Sequence, residues 1–168
     1  MESLYVKWIS IDNKALRLAG CPEFRAFLTY LNANINVCLP SSATSIREWV
    51  LRQFDIKKER IRQRIQSARS KVHISCDLWT APNSLLILRV VAHYISEDNI
   101  LESSTLVIVE LQGKHKGENI ALIVIYIIEE WGLLSKLGFF QMDNTGNNDT
   151  MLRGVSDLEG RPRYKVRP

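Results

Sequence analysis

The sequence has few of the residues that build covalent or metal cross-links. Its 168 residues include three cysteines and three histidines. Cys21, Cys38 and Cys76 are too widely spaced for a C-x-x-C pair or another zinc-binding pattern. Three cysteines also cannot form a closed disulfide framework. This shortage favours a reducing compartment and predicts an intracellular protein.

Long hydrophobic runs are missing as well. The longest uncharged apolar stretch extends from Ile120 to Ile128, far short of the roughly 20 residues that a membrane-spanning helix requires. The sequence does not open with a basic leader followed by an apolar stretch, so we expect neither a secretory signal nor membrane binding. With 46% apolar and 24% charged residues, the composition is that of a globular domain rather than a disordered chain.

The net charge of +4 conceals an uneven distribution along the chain. Residues 47–71 contain nine basic and three acidic groups, whereas residues 72–152 contain four basic and ten acidic groups. Basic clusters attract phosphate backbones with little sequence specificity. The candidate nucleic-acid-binding residues are Lys57, Lys58, Arg60, Arg62 and Arg64. A solvated helix face is the alternative interpretation.

These basic residues lie on a predicted amphipathic helix. Ser45 and Glu48 form a capping box that opens the helix, and the apolar period continues over about 22–25 residues. We expect the apolar stripe of this helix to pack on the following domain. The stripe comprises Ile46, Trp49, Val50, Phe54, Ile61, Ile65 and Ala68.

The region before this helix is predicted to be partly helical. Roughly the first 20 residues show no sustained period, so we expect them to be irregular. A short helix should begin at Pro22, because proline suits the first turn. Its apolar face comprises Phe24, Phe27, Leu28 and Leu31.

From residue 72 the hydrophobic period becomes alternating, which predicts a strand over 72–80. Further strands are expected over 85–95, 100–111 and 137–142, with an apolar helix over 118–131 before the last one. The first three strands should form an antiparallel meander because only short turns join them. The helical crossover should bring the fourth strand back parallel to the first. The sequence therefore predicts an α/β fold with a mixed sheet.

Two acidic residues stand out against this pattern. Asp77 lies within an otherwise apolar strand, where a charge is costly unless it is paired or binds a cation. Asp143 follows the fourth predicted strand, at the end where α/β sheets place their binding crevice. Convergence of these carboxylates would create a site for a hard cation such as Mg2+ or Mn2+. As alternatives, Asp77 is a solvated residue on an edge strand, and Asp143 or Asn144 caps the next helix.

At these positions the sequence resembles the catalytic core of hAT-superfamily DNA transposases of the Restless-like or Ac-like kind. The resemblance covers roughly residues 4–152. It depends on three blocks in a fixed order, SCDLWTAPNSLLILRVVAHYI, GKHKGENI and MDNTGNNDTML. The first block contains Asp77 and the third contains Asp143.

The resemblance implies a ribonuclease-H-like fold in which three acids hold two Mg2+ ions for phosphodiester cleavage and strand transfer. Asp77 is similar to the first of these metal ligands and Asp143 to the second, so both are candidate catalytic residues. The resemblance also implies DNA as the partner and the nucleus as the location.

Other family features are not matched by this sequence. They are the BED-type zinc finger, a C-x-x-H motif, the third acid and the dimerisation region, so the oligomeric state stays open. We therefore expect an incomplete ribonuclease-H-like core, truncated before the third acid and without strand-transfer activity. The expected domains are a helical region over 1–70, the partial core over 71–154 and an unpatterned basic tail over 155–168.

Two other functions are kept as alternatives. The first is a non-catalytic nucleic-acid-binding or interaction module, derived from a transposase, in which the basic helix binds DNA. The second is an ordinary ribonuclease-H-like nuclease, which we favour least because it also needs a third or fourth acid.

Overall fold

The computed structural model describes residues 1–40, 42–111 and 117–142, with no side chains described for 117–119. The chain divides into two compact units, the first over Met1–Arg60 and the second beginning at Ile61. A helical segment precedes a mixed α/β sheet, which confirms the predicted fold class. None of the helices in the described part of the chain combines the length and hydropathy needed to span a bilayer.

The helices and strands follow one another in the predicted order. The first unit contains α1 (Glu2–Ile11), a 3-10 turn (Leu16–Gly20), α2 (Pro22–Leu31) and α3 (Ile35–Cys38). The long helix α4 (Ala43–Gln66) begins in this unit and ends in the second. The second unit continues with β1 (Val72–Thr80), β2 (Leu86–Ile95), β3 (Leu101–Glu110), α5 (Gly117–Glu130), a 3-10 turn (Leu134–Lys136) and β4 (Leu137–Met142).

The first residues are helical, so the prediction of an irregular start was wrong. Tyr5, Val6 and Ile9 are buried on one side of α1, since Ile9 follows Val6 by three residues and Tyr5 by four, spacings that bring side chains to the same face. The ring of Trp8 stacks on that of Phe24, with the ring centroids 6.1 Å apart. Unlike α2, which has the same length of ten residues, α1 has no proline in its first turn to mark where the helix begins.

The helix α2 begins at Pro22, as predicted, with the proline in its first turn. Among the described residues, only part of its predicted apolar face packs against the rest of the protein. Phe24 and Leu28 pack against the buried cluster of the first unit. In contrast, Phe27 and Leu31 are exposed.

The helix α4 has the predicted length, at 24 residues, but it begins with a different cap. The Ser45 amide donates a hydrogen bond to the Ser42 hydroxyl at 3.1 Å, which makes Ser42 the N-cap and places Ser45 in the first turn. The predicted capping box at Ser45 was therefore wrong. Serine is a favoured N-cap residue at either position, and only Ser45 is followed by the Glu of a capping box, so the sequence pointed to the wrong serine.

The apolar stripe of α4 contributes to two separate cores. Ile46 is fully buried in the cluster of the first unit, while Ile65 and Ala68 belong to the cluster beneath the sheet. Phe54 is 59% exposed, so its predicted place in the packed stripe was wrong. Within the described residues, Phe54 belongs to neither of the two buried clusters.

The sheet has the strand order β3-β2-β1-β4. The pairs β1–β2 and β2–β3 are antiparallel, and β1 and β4 are parallel. This confirms the meander and the parallel fourth strand that the helical crossover predicts. β1 and β4 have the predicted bounds. β2 begins one residue later than predicted, and β3 is one residue shorter at each end.

The helix α5 buries the predicted apolar face in the same cluster as one side of the sheet. Its inward side chains are Ile120, Val124, Ile127, Ile128 and Trp131. Val72, Ile74 and Cys76 supply the β1 side of this cluster. Successive side chains of a strand point to opposite faces, so burial of these three directs Asp77 to the other face of the sheet.

The helix α5 ends at Gly132 in a hydrogen-bonded turn that returns the chain toward β4. Gly132 has a φ of +66°, a conformation that glycine adopts without strain. Its amide donates to the carbonyl of Glu129, and the Leu133 amide donates to the carbonyl of Ile128. This pair of bonds forms a Schellman motif.

Candidate functional site

Asp77 lies on the exposed face of an inner strand. Its side chain is 58% exposed, so the premise that this charge is buried was wrong. The alternative that Asp77 is solvated is correct, but its location on an edge strand is not, because β1 lies between β2 and β4. The carboxylate is therefore held at a fixed position in the sheet and is accessible to solvent.

The partner of Asp77 is a basic residue on the neighbouring strand. Arg89 of β2 lies directly opposite Asp77 in the register, and its Nη1 atom is 4.0 Å from Asp77 Oδ2. Its Nη2 atom donates to Thr105 Oγ1 of β3 at 3.4 Å. A row of polar side chains thus crosses three strands.

A second polar pair lies beside this row. The Ser75 hydroxyl and His93 Nε2 are 2.8 Å apart, on the face of β1 and β2 that also carries Asp77 and Arg89. The bond to Ser75 gives His93 a structural role, because it joins two adjacent strands.

His73 joins β1 to β4. The Phe139 amide donates to His73 Nδ1 at 3.0 Å, and the two rings stack with centroids 5.4 Å apart. This contact lies at an irregularity of the register between Val72 and Ile74. A Cβ atom at Gly138 would be 2.8 Å from His73 Nδ1, so the close approach of the ring requires glycine there.

The second candidate carboxylate, Asp143, lies outside the described residues. The described strand β4 ends at Met142, and Met142 pairs with Cys76 of β1 in the parallel register. Cys76 and Met142 are the residues that immediately precede Asp77 and Asp143 in the sequence. Within the residues that the structure describes, no three His, Cys, Asp or Glu side chains gather as a metal-binding cluster.

Cys76 is not a candidate nucleophile. Burial, reinforced by the negative charge of Asp77, raises the pKa of its thiol to about 12. A thiol reacts as the thiolate, and this one stays protonated at neutral pH. Cys76 is thus a residue of the hydrophobic core beneath the sheet.

The candidate DNA-binding residues of α4 have different surroundings. Lys57 and Arg60 are exposed, and their side chains have no ion-pair or hydrogen-bond partner within the described part of the chain. Arg64 pairs with Glu102 of β3 at 2.5 Å. Lys58 and Arg62 are half-buried and both have intramolecular contacts. The two exposed residues are therefore the ones most available to a phosphate backbone.

The position of Arg89 beside Asp77 was not predicted from the sequence. The signal was present, because each of these residues lies six positions from Asn83 in the turn between β1 and β2. In a hairpin, residues equally distant from the turn face each other across the two strands. Thr105, the third member of the polar row, could not be found this way, because the pairing of β2 with β3 shifts register between Val90 and Val91 of β2.

Comparison with known proteins identifies the family. Residues 75–162 match the ZBED1 RNase-like domain, and this match covers more than half of the chain. The chain therefore belongs to the family of the ZBED1 RNase-like domain, a domain of ZBED proteins related to hAT transposases. No curated protein and no solved structure shows a significant match to the chain.

Proposed function

We propose that this transposase-derived domain retains the cation site of a DNA-processing core but does not itself transfer DNA strands. The observation that supports the proposal is the parallel register of β1 and β4. It pairs Cys76 with Met142, the residues that precede the two acids matched by the hAT resemblance. Adjacent parallel strands carry such residues to the same edge of a sheet.

The chemistry of the donor groups fits a divalent cation. Asp77 offers carboxylate oxygens, which Mg2+ and Mn2+ prefer as ligands, and its exposure leaves them accessible. Asp77 and Asp143 would hold the ion, which would stabilise negative charge on a phosphodiester. The family mechanism implied by the resemblance uses a third acid, and we assign no residue to that role.

A nicking assay tests the catalytic part of this proposal. The 168-residue polypeptide is incubated with supercoiled plasmid in Mg2+ or Mn2+, beside the Asp77→Ala variant. We expect no nicking above background by either protein, because metal placement by the full set of acids supplies most of the rate in phosphoryl transfer. Nicking that the Asp77→Ala substitution abolishes would show an active enzyme and contradict the proposal.

Binding of DNA through α4 is a second candidate function, favoured by a separate observation. Lys57 and Arg60 are exposed cations three residues apart on one helix, a spacing that brings side chains to neighbouring positions. Because such contacts are made to phosphates, the binding should depend on salt and show little sequence preference. The nuclear location implied by the resemblance is consistent with this function and stays a prediction.

Charge reversal on α4 tests this second function. Fluorescence anisotropy with a labelled duplex gives the affinity at several salt concentrations. For the double variant Lys57→Glu/Arg60→Glu we expect weaker binding and a salt slope reduced by about 2, since each lost phosphate contact removes about 0.9 from the slope. The matched control is Lys14→Glu/Arg17→Glu, which changes the charge equally at two other exposed positions of the first unit.

The control separates local contacts from net charge. Equal losses of affinity in both double variants would show that only the total charge matters, and the assignment to α4 would then be wrong. Circular dichroism of each variant establishes that the helices are intact before the affinities are compared.

A further inference from the structure

Arg89 lies beside the carboxylate of Asp77, within ion-pair distance, and also contacts the next strand. The backbone register places the two residues opposite each other on adjacent antiparallel strands, and Nη1 lies 4.0 Å from Oδ2. The second guanidinium nitrogen is engaged by Thr105 on the next strand. The position of the Arg89 guanidinium thus depends on residues of three strands of the sheet.

A divalent cation at Asp77 would have to share this carboxylate with Arg89. The positive charge of Arg89 compensates the negative charge of Asp77 that would attract a divalent ion. Arg89 would also repel a divalent ion bound to the Asp77 carboxylate. At separations of about 5 Å this repulsion is appreciable even with solvent screening, because the interaction scales with the product of the charges. The arrangement therefore opposes binding of a divalent ion without blocking access to the oxygens.

We propose that Arg89 is a built-in counter-cation of Asp77 that lowers the affinity of the proposed site for Mg2+ and Mn2+. This inference rests on the proposed function, since it concerns the same carboxylate. Arg89 acts here as a positioning and charge-compensating residue, with no assigned contact to DNA. Thr105 orients Arg89 through its hydroxyl group.

Direct measurement of Mn2+ binding tests this role without any catalytic readout. Free Mn2+ is measured by electron paramagnetic resonance during titration of the full 168-residue chain. We expect Arg89→Gln to bind Mn2+ roughly tenfold more tightly than the unaltered protein. Arg89→Lys should keep the affinity low because it retains the positive charge. Asp77→Asn should abolish the binding, alone and combined with Arg89→Gln.

Arg69→Gln is the matched control, because it removes the same charge from the same unit. The Arg69 amide donates to the carbonyl of Ile95, a residue six positions from Arg89 along β2 and about 20 Å away in an extended strand. The control should change the Mn2+ affinity by less than about twofold, since charges farther apart than a Debye length are screened. Thermal unfolding of each variant shows that it is folded.

The possible failures are distinguishable. If Asp77→Asn abolishes binding but Arg89→Gln binds no more tightly than the unaltered protein, the counter-cation role is overturned and the cation site stands. If Mn2+ binding is insensitive to Asp77→Asn, or if neither the unaltered protein nor Arg89→Gln binds Mn2+, the proposed site itself is wrong. If Arg69→Gln bound Mn2+ as much more tightly as Arg89→Gln does, the effect would be one of general charge, and the role of Arg89 would be overturned.

Discussion

The turn at Gly132 sets the path from α5 to β4, and its replacement by alanine should destabilise the second unit measurably. The residue has a φ of +66°, and a side chain in this left-handed region costs about 1–2 kcal/mol. The new Cβ atom would also be 2.8 Å from Gln66 Nε2. That nitrogen donates to the Trp131 carbonyl at 3.2 Å, a bond worth about 1 kcal/mol.

These two costs give an expected loss of about 2–3 kcal/mol for Gly132→Ala. Urea unfolding, followed by circular dichroism and by the fluorescence of the four tryptophans, measures it. The corresponding decrease in Tm is roughly 5–10 °C for a chain of this size. The asparagine variant should lose less than the alanine variant, because asparagine tolerates a positive φ better than other side chains.

A double-mutant cycle with Gln66→Ala separates the two costs. Without the glutamine side chain, Gly132→Ala should cost only the conformational part, about 1–2 kcal/mol. The reasoning would be refuted if Gly132→Ala changed the free energy of unfolding by less than about 0.5 kcal/mol, a change typical of a neutral surface position. An equal cost with and without Gln66 would refute the contact alone.

Two further predictions concern the cap of α4 and the buried thiol. Ser42→Ala should lower the free energy of unfolding by about 1 kcal/mol in urea titrations, and a larger loss in Ser45→Ala would contradict the assignment of the cap. With a thiol reagent at pH 8, Cys38 should react rapidly because it is exposed, and Cys76 only after unfolding. In the folded protein the pKa of Cys76 is raised from its ordinary value of 9.0 to about 12. The protonated thiol therefore contributes its full stabilisation of the fold below pH 9, and this contribution falls as the pH rises toward 12. Between pH 8 and 10.5 the loss should be roughly 2 kcal/mol in urea unfolding and largely absent in Cys76→Ala.

The sheet was predictable because its strands carry strong and regular patterns. The alternation of Val72, Ile74 and Cys76 determines both the bounds of β1 and its buried face. The crossover through α5 then determines the direction of β4, since a parallel return needs a helix. Such features depend on local period and chain connectivity, which a single sequence contains.

The N-terminal helices were harder to predict because tertiary packing decides them. Helix α1 is stabilised by contacts such as the edge-to-face pair of Tyr5 and Trp49, which lie far apart in the sequence. The exposure of Phe54 likewise depends on which parts of α4 are covered by packed side chains. Neither property is encoded in the local apolar period.

The candidate site was predicted in part. The position of Asp77 in its strand, on the face opposite Val72, Ile74 and Cys76, followed from the alternation. Its exposure did not, because the sequence does not show whether that second face of the sheet is also covered. The pairing of Asp77 with Arg89 needed the hairpin register to be worked out from its turn. Asp143 lies outside the described residues, and its role stays a prediction.

The contact between His73 and Phe139 should couple the evolution of position 73 to that of position 138. An imidazole can accept the Phe139 amide at Nδ1 only as a neutral ring with its proton on Nε2. The ring also needs the space that Gly138 leaves beside it. Positions 73 and 138 should therefore change together, with glycine retained wherever the histidine is retained. Related sequences that combine this histidine with a larger residue at 138 would contradict that coupling.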